Sequence, residues 1–270
     1  MLSFGDIVPL NPQKTITFFF IYYKYNLFYN KISIINMNIA IIGYGKMGKS
    51  IEKIAKVRNH KISFFSNKSP CPILLKKSDV AIEFSRPDSA FKNIKICIEN
   101  HIPIVCGTTG WIEKLHLVKD LCEKNNGTFL YSSNFSIGMN IFHEINHKLS
   151  KLLSPYSINY EVKIEEIHHK EKLDKPSGTA LVLAKSVLNN QMKKTWTLDP
   201  NKKKDKILIV SKRIENIPGI HIVTYQSKME SIEMQHKAHN RDVFAIGAII
   251  AAEWIKDKKG IFSMKEVLGI

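Results

Sequence analysis

The apolar run Asn38 to Ile42 is short, and behind it Ile51, Ile54, Ala55 and Val57 recur at roughly helical spacing. Glycines lie between, so the opening predicts strand, turn, helix. Ile62 to Phe65 reads as a second strand and Asp79 to Phe84 as a third, with a helix from about Ser89 to Glu99. Pro103 to Cys106 predicts a fourth strand, Trp111 to Lys124 a helix, and Thr128 to Tyr131 a fifth strand. Strands alternating with helices predict a doubly wound parallel sheet.

The pattern changes after Ser132. A helix fits 139–153, and Ile158 to Ile167 alternates like a half-exposed strand. Another helix fits 178–189. Strand-like runs at 206–212, 219–225 and 230–237 follow with no helices between them, which favours a mixed or antiparallel sheet. The last forty residues turn helical, with Phe244 to Ala252 buried. The expected fold class is α/β, a parallel sheet with a second α+β domain containing a mixed or antiparallel sheet. The expected domains are 37–134 and 135–239, with 240–270 packing back on the first.

Composition narrows the function classes. Hydrophobic residues at 44% and charged residues at 24% exclude wholesale disorder and a coiled-coil rod. The formal charge of +16 raises a nucleic-acid partner. However, arginine occurs only at Arg58, Arg86, Arg213 and Arg241, and the lysines travel with abundant Ile, Asn, Phe and Tyr. That is compositional drift rather than a built patch, and Lys202 to Lys204 reads as a solvated loop. No nucleic-acid partner is expected. Four cysteines, none in a C-x-x-C pair, fit a reducing cytoplasm.

Residues 1–36 differ from the rest. Thr17 to Tyr23 is apolar but Lys24 follows, and no uninterrupted run reaches the ~20 residues of a membrane span. No membrane partner is expected. Met37 stands directly before the first convincing strand. The functional domain is therefore expected to begin there, with 1–36 a disordered extension or upstream sequence translated in error.

Gly43-Tyr44-Gly45-Lys46-Met47-Gly48 is a G-x-G-x-x-G turn between a strand and a helix, the context that marks a Rossmann-like dinucleotide site. The helix N-terminus would hold the phosphates. The acidic residue that should follow about 20 positions on to accept the ribose is missing. Ser66-Asn67-Lys68 stands there instead. Asn67 can bond a hydroxyl and Lys68 would attract a 2′-phosphate, so NADPH or NADH is expected.

The densest chemistry runs from Glu165 through His168-His169-Lys170-Glu171-Lys172 to Asp174 and Pro176-Ser177-Gly178-Thr179-Ala180. Two histidines and several lysines precede a helix start whose N–H groups can cradle an anion. Ser177 is equally a plain N-cap, and Asp174 a surface residue. His143-Glu144-Ile145-Asn146-His147 matches H-E-x-x-H, but a catalytic zinc needs a third ligand that the sequence does not offer. No metal site is expected. Asn134 to Ser136 is placed to be a hinge between the two domains.

This loop resembles the signature of the 4-hydroxy-tetrahydrodipicolinate (dihydrodipicolinate) reductases of the diaminopimelate route to lysine. That signature reads approximately E-x-H-H-x-x-K-x-D-x-P-S-G-T-A. Phe84 to Pro87, Gly107 to Trp111, Ser133 to Gly138 and Arg241 with Phe244-Ala245 agree in order, and the similarity covers 37–270. The resemblance implies that His168 is a proton donor and acceptor and Lys172 a proton donor. It implies that His169, Ser177, Gly178 and Thr179 form the site for a cyclic dicarboxylate. It implies that Gly43 to Gly48, Gly107, Thr108, Thr109, Ser132, Ser133, Asn134 and Phe135 line the cofactor, and that the assembly is a homotetramer. Many members have a glycine turn one residue longer, and Asn67 stands where a charged selector often sits.

Overall fold

The computed structural model describes residues 36–202 and 205–270. The expectation for the leading segment falls on residues 1–35, outside the described residues, as does that for Lys203 and Lys204. Residues 37–270 form one compact unit.

Its first sheet contains β1 (Asn38–Ile42), β2 (Lys61–Ser66), β3 (Val80–Glu83), β4 (Ile104–Cys106), β5 (Thr128–Tyr131) and β11 (Gly260–Phe262). The order is β11-β5-β4-β3-β1-β2, and every pairing is parallel. From β1 the chain first moves to β2 on one side, then crosses to β3 on the other. The carboxyl ends of β1 and β3 therefore flank a topological switch point, where such sheets bind ligands. Helices α1 (Lys46–Val57), α2 (Pro72–Leu75), α3 (Pro87–Glu99) and α4 (Leu115–Asn125) make the crossovers. Ile42, Ala81, Ile94, Ile98, Ile104 and Phe129 are buried in the core of this layer.

The second sheet runs β10-β9-β6-β8-β7: β6 (Glu161–His168), β7 (Thr195–Thr197), β8 (Lys206–Arg213), β9 (Gly219–Gln226) and β10 (Ser231–Ala238). It is mixed, because β8 lies parallel to β6 and β7 while β9 is antiparallel to β6 and β10. Helices α5 (Ile137–Leu153) and α6 (Gly178–Asn189) flank it. Each begins on a serine whose hydroxyl accepts from the third helical N–H: Ser136 from Met139 at 3.1 Å and Ser177 from Ala180 at 3.2 Å. Strand β6 alternates strictly, with Val162, Ile164, Glu166 and His168 buried. The inward row is thus apolar at one end and ionisable at the other.

The C-terminal segment returns to the first sheet. Helix α7 (Asp242–Ile255), followed by α8 (Met264–Leu268), packs on α1 and on β3, β4 and β5. A half-buried fork fixes it there: the Arg58 guanidinium donates to both Glu253 oxygens at 2.9 and 2.8 Å, with His60 Nε2 2.8 Å away. Three expectations change. The last forty residues also contain a strand, β11, which edges the first sheet. The stretch from Trp111 is a 3₁₀ turn (Ile112–Lys114) before α4, because the buried Trp111 indole donates to Thr108 O at 2.6 Å and pins the chain. The strand expected from Ile158 starts at Glu161, because Pro155 opens a 3₁₀ turn over Ser154–Asn159.

Candidate active site

The glycine turn closes β1 onto α1 at the switch point. Gly43 has φ +94°, and a Cβ there would lie 2.1 Å from Phe84 O. A Cβ at Gly48 would lie 2.3 Å from Gly43 O, so helix and turn touch through backbone alone. Gly45 has no atom within 4 Å of such a Cβ. It opens α1 with no side-chain cap and no acidic residue in the first turn. Free N–H groups therefore face open space, which fits a pyrophosphate.

Tyr44 stacks on Phe65 at 4.1 Å, and its hydroxyl pairs with Glu52. The Tyr44 N–H donates to Asn67 Oδ1 at 2.6 Å. The Asn67 side-chain carbonyl is thus taken by the turn, and its amide N–H groups have no protein partner among the described residues. Lys46 is exposed, with Glu171 3.9 Å away.

Further along the crevice, the Ser85 N–H donates to Thr108 Oγ1 at 2.8 Å, so Thr108 braces the turn after β3, while Thr109 is exposed. The loop between β5 and α5 braces itself: Ser132 Oγ donates to Asn134 O at 2.7 Å and Ser136 N to Asn134 Oδ1 at 2.9 Å. Phe135 is buried, with its ring 5.6 Å from Phe84.

A cleft of about 330 Å³ joins this crevice to the second sheet. Met47, Gly107, Ser133, Asn134 and Phe135 line it from one side, and His168, His169, Lys172 and Thr179 from the other. Phe84, Pro218, Arg241 and Phe244 complete it. Phe84, Arg241 and Phe244 stand in matching segments of the sequence, yet nothing in their local pattern marks them as lining. A second cavity of about 340 Å³ adjoins it through His169 and Arg241 and reaches Lys46.

His168 sits at the carboxyl end of β6, with Nδ1 on the Glu166 carboxylate. Burial works against charge on Glu166, but the contacts from His168 and Arg213 outweigh it and hold the carboxyl at about 2. The His169 Nδ1 is buried without a hydrogen-bond partner, a free polar atom at the cleft. Burial and the nearby Arg241 push His169 down, toward the neutral ring. Lys172 Nζ lies 2.6 Å from Asp174 Oδ1, and the Gly178 N–H donates to Asp174 Oδ2 at 3.4 Å. Asp174 thus bridges the ammonium and the start of α6. Ser177 does not face the cleft. It is buried, caps α6, and meets His221 Nε2 at 3.3 Å.

The close packing of His168 predicts a sensitive neighbour. A Cβ at Gly219 would lie 3.2 Å from His168 Nε2. Given the proton-handling role proposed for His168 below, Gly219→Ala is expected to push the ring by a few tenths of an ångström and lower kcat several-fold. Its Tm and nucleotide affinity are expected to change little. Steady-state kinetics with a thermal-shift assay would check this.

Acid stability follows from the same cluster. Burial, then the charge of His168, holds His221 at about 3 against an ordinary 6.5, so the unfolded chain takes up a proton that the native chain refuses. This contribution is complete above pH 6.5 and is lost as pH falls toward 3, at up to about 1.4 kcal/mol per pH unit. Glu166, depressed from 4.5 to about 2, adds a loss that begins below pH 4.5. The Tm is expected to fall on acidification below pH 6.5, with a shallower slope for His221→Gln.

The H-E-x-x-H histidines are engaged elsewhere. His143 Nε2 lies 2.9 Å from Ser186 Oγ, and His147 accepts at Nδ1 from Asn190 Nδ2 at 3.4 Å, so both face α6. Glu144 lies 3.9 Å from Lys148 and 3.5 Å from Lys265. Among the described residues, the group with metal-ligand spacing is Glu166, His168 and His221, with ligand atoms within 4.8 Å. Arg213, 2.9 Å from Glu166, already supplies a positive charge there.

A G-x-G-x-x-G turn at the switch point of a parallel sheet and a His-Lys loop bordering one cleft are the parts an NAD(P)H-dependent oxidoreductase needs. The family models "Dihydrodipicolinate reductase, N-terminus" and "Dihydrodipicolinate reductase, C-terminus" match residues 37–135 and 138–268. A 4-hydroxy-tetrahydrodipicolinate reductase of Christiangramia forsetii is 49% identical over 235 residues, 86% of this chain and 98% of that protein. One from Buchnera aphidicola subsp. Cinara cedri is 36% identical over 249 residues, 87% and 86% of the two chains. The dipicolinate-bound dihydrodipicolinate reductase from Paenisporosarcina sp. TG-14 shares the fold at a TM-score of 0.65 and 23% identity, over 86% of this chain and 99% of that one.

The chain belongs to the dihydrodipicolinate reductase family. Its reaction is the NAD(P)H-dependent reduction of 4-hydroxy-tetrahydrodipicolinate to tetrahydrodipicolinate, a step of diaminopimelate and lysine biosynthesis.

Proposed function

We propose that His168 and Lys172 handle the proton of this reduction, and that His169, Gly178, Thr179 and Arg241 hold the substrate. The observation that carries the reading is the single cleft shared by Met47 and Gly107 on one side and His168, His169, Lys172 and Thr179 on the other. The substrate carries two carboxylates. The start of α6 suits one of them: its Gly178 N–H donates to the Asp174 carboxylate at 3.4 Å, and the substrate carboxylate would take that place. Arg241 suits the other, as a fork that meets a carboxylate with two parallel hydrogen bonds.

The 4-hydroxyl leaves as water together with a proton from the neighbouring carbon, which forms a ring double bond; reduced nicotinamide, when bound, would supply hydride to the carbon that carried the hydroxyl and leave electron density on that neighbour. Lys172 Nζ–H delivers the proton there. His168 Nε2, left available by the Nδ1 contact with Glu166, exchanges protons with the site. Asn134 to Ser136 form the hinge whose closure excludes water.

We place the dinucleotide-binding domain at 37–134, with 240–270 on it, and the substrate and assembly domain at 135–239. We place the enzyme in the cytoplasm, a reading supported by four unpaired cysteines, three of them buried. We propose a homotetramer assembled through the open face of the second sheet, where Leu208, Val210, Ile220 and Ile222 alternate with the buried row.

A coupled assay tests the activity. The condensation product of pyruvate and aspartate semialdehyde is supplied, and oxidation of NADPH and NADH is followed in turn. Turnover with at least one cofactor is expected; turnover with neither would overturn the reading. Light scattering should give four times the chain mass, and a monomer would remove the tetramer.

A further inference from the structure

We propose that Glu166 and Arg213 act as a positioning pair for the catalytic loop. The carboxylate orients the His168 ring. The guanidinium, through that carboxylate and two main-chain carbonyls, sets Lys172 beside it. This rests on the assignment of His168 and Lys172 made above.

Strand register brings the pair together. Arg213 ends β8 opposite His168, and His221 on β9 stands opposite Glu166. All lie at the end of the sheet where the inward row turns from apolar to ionisable. The Glu166 side chain is 0% exposed and that of Arg213 16%. One Glu166 oxygen meets His168 Nδ1, and the other accepts from Arg213 Nη1 at 2.9 Å. The same guanidinium donates from Nε to Lys172 O at 3.2 Å and from Nη2 to Asp174 O at 2.6 Å. A single planar group thus connects the ring of one working residue to the backbone of the other.

His221 packs edge-on against His168 at 5.0 Å and ties this layer to Ser177 at the start of α6. A buried ion pair contributes little net stability, because desolvation offsets its attraction. Fixing an imidazole and an ammonium in register is a use that the geometry does support.

The experiment compares Glu166→Gln, Arg213→Lys and the double variant with wild type, with His168→Ala and Lys172→Ala alongside. Rates are expressed per nucleotide-binding site. Each single variant is expected to lower kcat on the order of 10- to 10²-fold, with the cofactor KM within about twofold. The solvent deuterium isotope effect on kcat is expected to rise as the proton step becomes limiting. The double variant is expected to be no worse than the weaker single, as for groups acting as one unit.

Unchanged kcat per binding site, an unmoved isotope effect, or a double loss equal to the product of the singles would overturn the pair. A variant that loses activity only in proportion to its lost nucleotide-binding sites would overturn it too. If Glu166→Gln keeps full turnover while His168→Ala and Lys172→Ala lose it, the pair fails and the assignment stands. If those two alanine variants keep wild-type turnover, the assignment itself fails.

Discussion

Lys172→Ala is expected to lower kcat on the order of 10²- to 10⁴-fold, the range that a positioned general acid contributes. Lys170→Ala is expected to stay within about twofold, in the range of surface charges. The two lysines are two residues apart but differ in setting. The Lys172 side chain is 24% exposed, lines the cleft and pairs with Asp174 at 2.6 Å. The Lys170 side chain is 70% exposed, with its nearest carboxylate, Glu215, 3.8 Å away. Steady-state kinetics on both, with Tm measured alongside, separates catalysis from folding. Equal losses would contradict the assignment of Lys172.

The second large effect belongs to the glycine turn, and it splits between two positions. Gly48→Ala would place a methyl 2.3 Å from the Gly43 carbonyl oxygen, a backbone atom that cannot swing away. Overpacking of this kind costs about 1–3 kcal/mol. The Tm should fall by roughly 2–12 °C, and nucleotide binding should fall with it. Gly45→Ala meets nothing within 4 Å. The free protein should keep its Tm, while its methyl occupies the space where a pyrophosphate approaches the backbone. Nucleotide affinity should then drop by about tenfold or more. A thermal-shift series with and without nucleotide reads both effects. The reverse pattern would place the dinucleotide elsewhere.

Much of this was legible in the sequence because short-range chemistry marks it. Three glycines between a strand and a helix locate the cofactor turn. The serine of Pro-Ser-Gly-Thr starts α6 at Gly178, as expected. The alternation of β6 carries His168 to the inner face. Two kinds of feature escaped. Strands β7 and β11 have three residues each, too few for a period to show, and unlike the equally short β4 they are not fully buried apolar runs. The cross-strand constellation of Glu166, Arg213 and His221 depends on register, which no local pattern fixes. The trace it leaves is two ionisable residues, Glu166 on β6 and His221 on β9, at inward positions of largely apolar alternations. Asn67 escaped in part because its partner is the backbone N–H of Tyr44, a group every residue has.

The central claim is that both halves of the reaction meet in one cleft. A crystal structure with reduced coenzyme and pyridine-2,6-dicarboxylate tests it most directly. The account predicts the coenzyme phosphates on the turn at Gly45. It also predicts the diacid ring between the nicotinamide and the His168–Lys172 pair, with polar atoms within about 3 Å of His169 or Thr179. A diacid bound away from His168 and Lys172, with the coenzyme in place, would contradict it.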